Sequence, residues 1–168
     1  TVDIKSQLPT SFQDGFNILV VGGSYYTKQI PHNKLIEICN KSTFPLVLLG
    51  GKEDKAIAEA VVKLYPNKTI NGCGAYNLNQ SASIIQQAQK IITSDTGLMH
   101  IAAAFKKEII SVWGNTIPEF GMGPYLADPK SKILEVKNLS CRPCSKLGHK
   151  NCPKKHFKCM NDIVICDL

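Results

Sequence analysis

Short apolar runs that end in glycine or hydroxyl residues recur along this chain and constrain its fold more than any other feature. The clearest are NILVVGG (17–23), PLVLLGG (45–51), KIIT (90–93) and EIISVWG (108–114). Such runs are typical of buried parallel strands. Because helix-like segments separate them, they predict an α/β fold, a parallel sheet with helices on both faces.

The connections between these runs carry the helix signals. Pro31 sets the first turn of a helix through about Lys41, and 52–65 form a second helix that Pro66 stops. A third helix runs from about Asn79 to Gln89. Shorter strands are predicted at 69–71 and 132–136.

Size and composition fit one domain with a small appendage. The chain has 168 residues, of which 43% are hydrophobic and 20% charged, as in soluble globular proteins. It lacks an apolar run of the roughly 18–20 residues that span a bilayer, so we expect a cytoplasmic protein. It begins without methionine, which indicates a processed product or a fragment. We divide it into a domain over 1–136 and a basic, Cys-rich tail over 137–168, packed on or beside that domain.

Polar residues follow several of the predicted strands. Gly22-Gly23-Ser24, Gly50-Gly51, Ser94-Asp95-Thr96-Gly97 and Gly114-Asn115-Thr116 stand at four strand ends. In open parallel sheets, ligands bind at the carboxyl ends of the strands, beside the point where strand order reverses. The pattern therefore predicts a ligand crevice.

The segment SDTGLMHIAAAF (94–105) predicts a helix start at that crevice. Asp95 or Thr96 caps the helix, and Gly97 leaves its first turn open to an anion. Thr96 and His100 are four residues apart, so both can line one pocket. Since Asp95 would repel a phosphate, its expected partners are hydroxyl groups or a nearby cation. The alternative is that Asp95 only caps the helix and His100 is a core residue.

The loop GGSYYTKQIP (22–31) adds phosphate-binding groups. Gly23 brings the backbone close to a ligand, Ser24 can donate a hydrogen bond, and Lys28 adds a positive charge. The loop matches neither G-x-x-x-x-G-K-[ST] nor G-x-G-x-x-G. The alternative for Lys28 is an exposed lysine at a helix start.

Four segments together resemble the C-terminal half of glycosyltransferase family 9, the bacterial ADP-heptose:lipopolysaccharide heptosyltransferases. They are GGSYYTKQIP, LLGGKED (48–54), SDTGLMHIAAAF and CRPCSKLGHKNCPKKHFKCMNDI (141–163). The resemblance implies the Rossmann-like C-terminal domain of a GT-B fold, which holds an ADP-sugar donor.

The resemblance also implies roles for single residues. Ser24 and Lys28 would contact the donor's phosphates, and Asp95 and His100 would face the sugar. Lys28, Asp95 and His100 are the predicted catalytic residues. The predicted substrate-binding residues are Gly23, Ser24, Glu53 for the ribose, Tyr76 beside the adenine, and Thr96 and Gly97 for the pyrophosphate.

In the family's reaction an acceptor hydroxyl attacks the anomeric carbon with inversion, and the nucleoside diphosphate leaves. The resemblance places the base and the lipopolysaccharide-core acceptor in an N-terminal domain that this chain lacks, so we expect weak donor binding and no turnover. Lys28 and the helix start would need no cofactor to stabilise the charge on the leaving diphosphate. Peripheral contact with the inner membrane is a further expectation.

The tail holds five of the seven cysteines. Structural zinc is one interpretation of the spacing, with His149 and His156 as spare ligands and free or partly oxidised thiols as the alternative. The candidate zinc ligands are Cys141, Cys144, Cys152 and Cys159.

Two other functions stay open. The net charge of +7, with many lysines in the tail, favours anionic partners and would suit a nucleic-acid-binding module. Against that interpretation, Phe157 is the only aromatic residue among the tail's basic residues, so we expect no nucleic acid. The second open function is a standalone nucleotide-binding module, which differs from the donor-binding half of a glycosyltransferase only in the absence of a partner domain.

Overall fold

A six-stranded parallel sheet forms the centre of the computed structural model, which describes residues 3–166 and 168. The strands are β1 (Asn17–Val20), β2 (Leu46–Leu49), β3 (Thr69–Asn71), β4 (Lys90–Ser94), β5 (Glu108–Trp113) and β6 (Lys132–Glu135). The helices are α1 (His32–Lys41), α2 (Lys55–Leu64), α3 (Leu78–Gln87), α4 (Gly97–Ala104) and α5 (Lys158–Asn161). The strand order is β3-β2-β1-β4-β5-β6. The predicted α/β fold is confirmed.

Side chains alternate between the two faces of the sheet, as the pleat requires. On β1, Ile18 and Val20 enter one apolar cluster, whereas Leu19, and Val21 just after the strand, enter the other. Helices α3 and α4 and the N-terminal segment cover the first face. Helices α1 and α2 cover the second. The apolar strand runs therefore reflect burial on both sides.

The end of the chain packs onto the same core as the sheet. Phe157, Met160, Ile163 and Ile165 are buried in the cluster that contains α1 and α2. The ammonium group of Lys34 donates to the carbonyl of Ile163 at 2.6 Å. The division into 1–136 and 137–168 stays a prediction, but the tail clearly shares its apolar contacts with the domain.

The strand order reverses between β1 and β4. From β1 the chain proceeds outward to β2 and β3, whereas β4, β5 and β6 continue on the opposite side. The loops after β1 and β4 therefore flank the crevice that such sheets use for ligands. Across residues 3–166 and 168, no helix has both the length and the apolar character needed to cross a bilayer.

The thiols differ sharply in their surroundings. Burial raises the pKa of Cys39 to about 11, and burial with the negative charges of Asp54 and Glu53 raises that of Cys73 to about 12, from an ordinary 9.0. Because the thiolate is the nucleophile, both should resist alkylation at neutral pH.

A maleimide at pH 7.5 should modify the half-buried Cys141 and Cys152 well before Cys39 and Cys73, as measured by peptide mass mapping. Above about pH 9, the thiols of Cys39 and Cys73 lose their protons in the unfolded chain but keep them in the folded chain. The free energy of unfolding should therefore fall as pH rises. Equal labelling of all four thiols in the folded chain would contradict the burial of Cys39 and Cys73.

Candidate functional site

A cavity of about 410 Å³ opens at the carboxyl ends of β1 and β2 and the start of α4. All six predicted substrate-binding residues line it, although they come from four separate segments of the sequence. Its lining residues are Val20, Gly22, Gly23, Ser24, Gly50, Gly51, Glu53, Asp54, Tyr76, Leu78, Ser81, Thr96, Gly97, Leu98 and Ile101. The crevice predicted from the strand ends is therefore present.

The start of α4 faces this cavity with free space in front of it. Thr96 is the N-cap, and its hydroxyl accepts a hydrogen bond from the Met99 N–H at 3.4 Å and lies 3.1 Å from the hydroxyl of Thr93. No described residue would come within 4 Å of a Cβ on Gly97. Unpaired N–H groups and the helix dipole favour an anion at such a terminus.

Asp95 does not cap this helix. It is 8% exposed, and its Oδ2 lies 2.6 Å from the ammonium nitrogen of Lys28 and accepts a hydrogen bond of 3.1 Å from the Thr116 hydroxyl. The predicted nearby cation is thus Lys28, which a short 3-10 helix (Tyr26–Lys28) delivers from the loop after β1. Lys28 is not an exposed lysine, because 13% of its side chain is accessible.

His100 lies away from the cavity. Leu98 and Ile101, three residues apart, line it, whereas His100 is exposed and does not. Positions 98 and 101 share a helix face that position 100 leaves, so the expected pocket shared by Thr96 and His100 is not formed. The core alternative for His100 is also wrong, because the residue is exposed.

Asp54 is a residue of the cavity that sequence reasoning missed. It is 6% exposed, and its Oδ2 accepts a hydrogen bond from the Gly51 N–H at 2.8 Å. A Cβ on Gly22 would collide with this carboxylate, and a Cβ on Gly50 would lie 2.7 Å from it. The paired glycines after β1 and β2 therefore make room for a buried acid. The acid next to Glu53 in LLGGKED was the available signal.

Burial shifts the pKa values of two residues that line the cavity, Asp54 and Tyr76. Burial raises the pKa of Asp54, the Gly51 N–H opposes this shift, and the charge of Glu53 adds to it. Glu53 is exposed at the mouth of the cavity, where it can accept hydrogen bonds from ligand hydroxyls. Burial also raises the pKa of the Tyr76 phenol, which stays neutral at pH 7. Tyr76 therefore offers an uncharged aromatic wall.

Four of the five tail cysteines line a separate cavity of about 250 Å³. All four candidate zinc ligands line it, together with His156, whose Nε2 lies 3.8 Å from the sulfur of Cys141. Among the described residues, however, no three His, Cys, Asp or Glu side chains are grouped so as to hold a metal ion. Structural zinc stays a prediction without support from this arrangement.

The sequence comparisons point to one family. Residues 5–156 match the family described as Glycosyltransferase family 9 (heptosyltransferase). Lipooligosaccharide heptosyltransferase 2 of Haemophilus influenzae is 29% identical over 130 residues, which cover 72% of this chain and 37% of that protein. The enzyme of the same name from Haemophilus ducreyi is 35% identical over 102 residues, or 55% of this chain and 29% of that protein.

Solved structures show the same fold. ADP-heptose lps heptosyltransferase II of E. coli matches with a TM-score of 0.67 and 21% identity, over 88% of this chain and 46% of that one. E. coli heptosyltransferase WaaC with ADP matches with a TM-score of 0.61 and 21% identity, over 76% and 39% of the respective chains. The chain thus spans less than half the length of these relatives. Because the family match covers most of its residues, the chain belongs to glycosyltransferase family 9.

Proposed function

We propose that this chain is the donor-binding half of a glycosyltransferase of lipopolysaccharide core synthesis and that its donor is an ADP-heptose-type nucleotide sugar. The observation that carries the proposal is the cavity at the reversal of strand order, where six residues from four segments meet in front of an open helix start. The names of similar proteins, which are heptosyltransferases and in two cases mention ADP-heptose or ADP, support this choice of nucleotide and sugar.

The diphosphate fits the positive side of the cavity. The N–H groups at the start of α4 point at an anion, and Gly97 leaves room for it. Gly23 and Ser24 approach the anion from the loop after β1. Lys28 and Asp95 are outside the cavity lining, but Lys28 is next to it, because a Cβ on Gly23 would lie 3.6 Å from the Cβ of Lys28. From there its positive charge stabilises the nucleoside diphosphate as it leaves. These groups supply positive charge without a further cofactor.

The two ends of the donor follow from this placement. Glu53 accepts hydrogen bonds from the ribose hydroxyls, and Tyr76 borders the adenine. Asp95 faces the sugar: Lys28 and Thr116 both use its Oδ2, and its Oδ1 has no hydrogen-bond partner among the described residues. That free oxygen can accept a hydrogen bond from a sugar hydroxyl. His100 remains a predicted catalytic residue on the exposed side of α4.

The reaction requires groups beyond these. An acceptor hydroxyl attacks the anomeric carbon, its proton passes to a base, and the bond to the diphosphate oxygen breaks with its electron pair. This chain stabilises the leaving group, and we assign the base and the core acceptor to the part of the enzyme outside it. The chain alone should bind donor and turn nothing over. We expect the enzyme in the cytoplasm, with peripheral contact with the inner membrane.

A thermal-shift panel of ADP, UDP, GDP, CDP and ADP-heptose tests the proposal. ADP and ADP-heptose should raise the Tm of the 168-residue chain, because a ligand that binds only the folded state stabilises it, and the other nucleotides should not. A preference for UDP would overturn the donor assignment. Steeply salt-dependent binding of DNA or RNA, with no response to ADP, would instead favour a nucleic-acid-binding module that uses the lysines of the tail.

A further inference from the structure

The Cys-rich segment, residues 137–160, holds the loop after β5 through its backbone. The Arg142 guanidinium donates to the Gly114 carbonyl at 2.6 Å and to the Thr116 carbonyl at 3.0 Å. Between them, the Cys144 N–H donates to the Asn115 carbonyl at 3.1 Å. Three successive carbonyls of one loop are therefore fixed by a segment that lies more than 20 residues further along the chain.

Arg142 is itself rigidly placed. One of its terminal nitrogens lies 2.7 Å from a carboxylate oxygen of Glu135, and the two side chains are 7% and 13% exposed. A planar guanidinium can satisfy a carboxylate and two carbonyls at once, and an ammonium group cannot reproduce that geometry. Glu135 ends β6, so the ion pair anchors the segment to the sheet.

The Cys-rich segment is also hydrogen-bonded to the loop after β1. The His149 N–H donates to the Thr27 hydroxyl at 2.8 Å, and the Thr27 N–H donates to the His149 carbonyl at 3.2 Å. Beside this contact, the rings of Tyr26 and Phe157 stack with centroids 5.2 Å apart. Thr27 is 1% exposed, so these hydrogen bonds are shielded from water. They fix the residue next to Lys28.

The two loops that the Cys-rich segment holds each contribute one contact to the same oxygen atom of Asp95. Lys28, from the first loop, and Thr116, from the second, both contact Oδ2 of Asp95, at 2.6 and 3.1 Å. We propose that the Cys-rich segment is a positioning clasp for Asp95, and that Arg142 of this segment and Thr27 of the loop after β1 are the two positioning residues. The inference rests on the proposed function, in which Asp95 faces the donor sugar.

The clasp has a specific consequence for donor selection. In the proposed function the start of α4 supplies diphosphate contacts that involve neither Arg142 nor Thr27, so only the part of the diphosphate site in the loop after β1 depends on the clasp. The orientation of the free Oδ1 of Asp95, by contrast, depends on both partners of Oδ2. Loosening either loop should therefore weaken recognition of the sugar more than recognition of ADP. A purely structural role would lower the affinity for both ligands together.

Arg142→Lys and Thr27→Val test the clasp by calorimetric titration with ADP and with ADP-heptose. Each variant should cut the preference for ADP-heptose over ADP by about tenfold, the order expected for a misplaced polar contact. Lys146→Gln, at an exposed position in the same segment, and Thr10→Val, at an exposed position far from it, should leave the preference unchanged. An unchanged preference in both clasp variants, or equal losses for both ligands, overturns the inference.

A measurement on the ligand-free chain separates this inference from the proposed function. Proton exchange of the Lys28 ammonium group, followed by NMR, should be slow in the wild type because the group is buried against Asp95. It should accelerate in both clasp variants, because a loosened pair opens to water more often, and unchanged exchange would overturn the clasp. Failure of the wild type to bind ADP at all would overturn the proposed function instead, whatever the exchange rates are.

Discussion

Replacement of Asp95 by asparagine should weaken binding of ADP-heptose by about tenfold or more while leaving ADP binding unchanged or slightly stronger. Asparagine keeps the shape of the side chain but removes the charge that draws Lys28 to Oδ2, where the two atoms are 2.6 Å apart. The freed ammonium group can then turn to the diphosphate, whereas the sugar loses a charged acceptor. Calorimetric titration with each ligand measures how far the affinity changes for ADP-heptose and for ADP.

The stability of the same variant separates a binding role from a folding role. Lys28 and Asp95 are 13% and 7% exposed, so a broken pair should also lower the free energy of unfolding, by about 1–3 kcal/mol. Glu59→Gln removes a negative charge from an exposed position on α2 and should change neither binding nor stability. Equal losses of ADP and ADP-heptose affinity would mean that Asp95 supports the fold and does not contact the sugar.

Two glycines of the cavity should respond to the same substitution in opposite ways. Gly22→Ala should lower the Tm by roughly 5–10 °C, because the new Cβ collides with the buried carboxylate of Asp54. Gly97→Ala should hold or raise the Tm, because it adds an alanine to the first turn of α4 and its Cβ comes within 4 Å of none of the residues that the structure describes. Its methyl group should nevertheless weaken ADP binding about tenfold, because it occupies the space in front of the helix start.

Thermal melts and ADP titrations of the two variants check this contrast. Gly123→Ala, in a distant loop with ordinary contacts around the new Cβ, should behave as the wild type in both measurements. Wild-type ADP affinity in Gly97→Ala would contradict the proposed diphosphate position. A normal Tm in Gly22→Ala would instead contradict the close approach of Asp54 to the loop after β1.

The sequence predicted the parts of this molecule that depend on local pattern. Every predicted strand has its counterpart. Strands β1, β2, β4 and β5 are apolar runs that are largely buried, whereas the edge strands β3 and β6 are short and partly exposed. The helix starts at Pro31 and Thr96 follow from their own chemistry. Helix α5 was missed because four residues show no period, and Phe157 before it has a left-handed backbone, with φ of 48°, that the sequence does not signal.

Contacts between distant residues lay beyond such reasoning. The hydrogen bond from Thr116 to Asp95 and the hold of Arg142 on the loop after β5 join residues more than 20 positions apart, and only the strand order brings them together. Asp54 was overlooked beside Glu53 because burial, not residue type, distinguishes the two acids. His100 failed as a pocket residue because Thr96 is the N-cap and has an extended backbone, with φ of -138° and ψ of 163°, so the helical four-residue spacing does not apply from Thr96 to His100.

A titration of the isotope-labelled chain with ADP, followed by amide chemical shifts, tests the central claim most directly. That claim is that the loops after β1 and β4 hold a diphosphate against the start of α4. Saturable shifts should concentrate at Gly23, Ser24, Gly97 and Leu98. Shifts confined to the lysines of residues 146–158, or no saturable shifts at all, would contradict it.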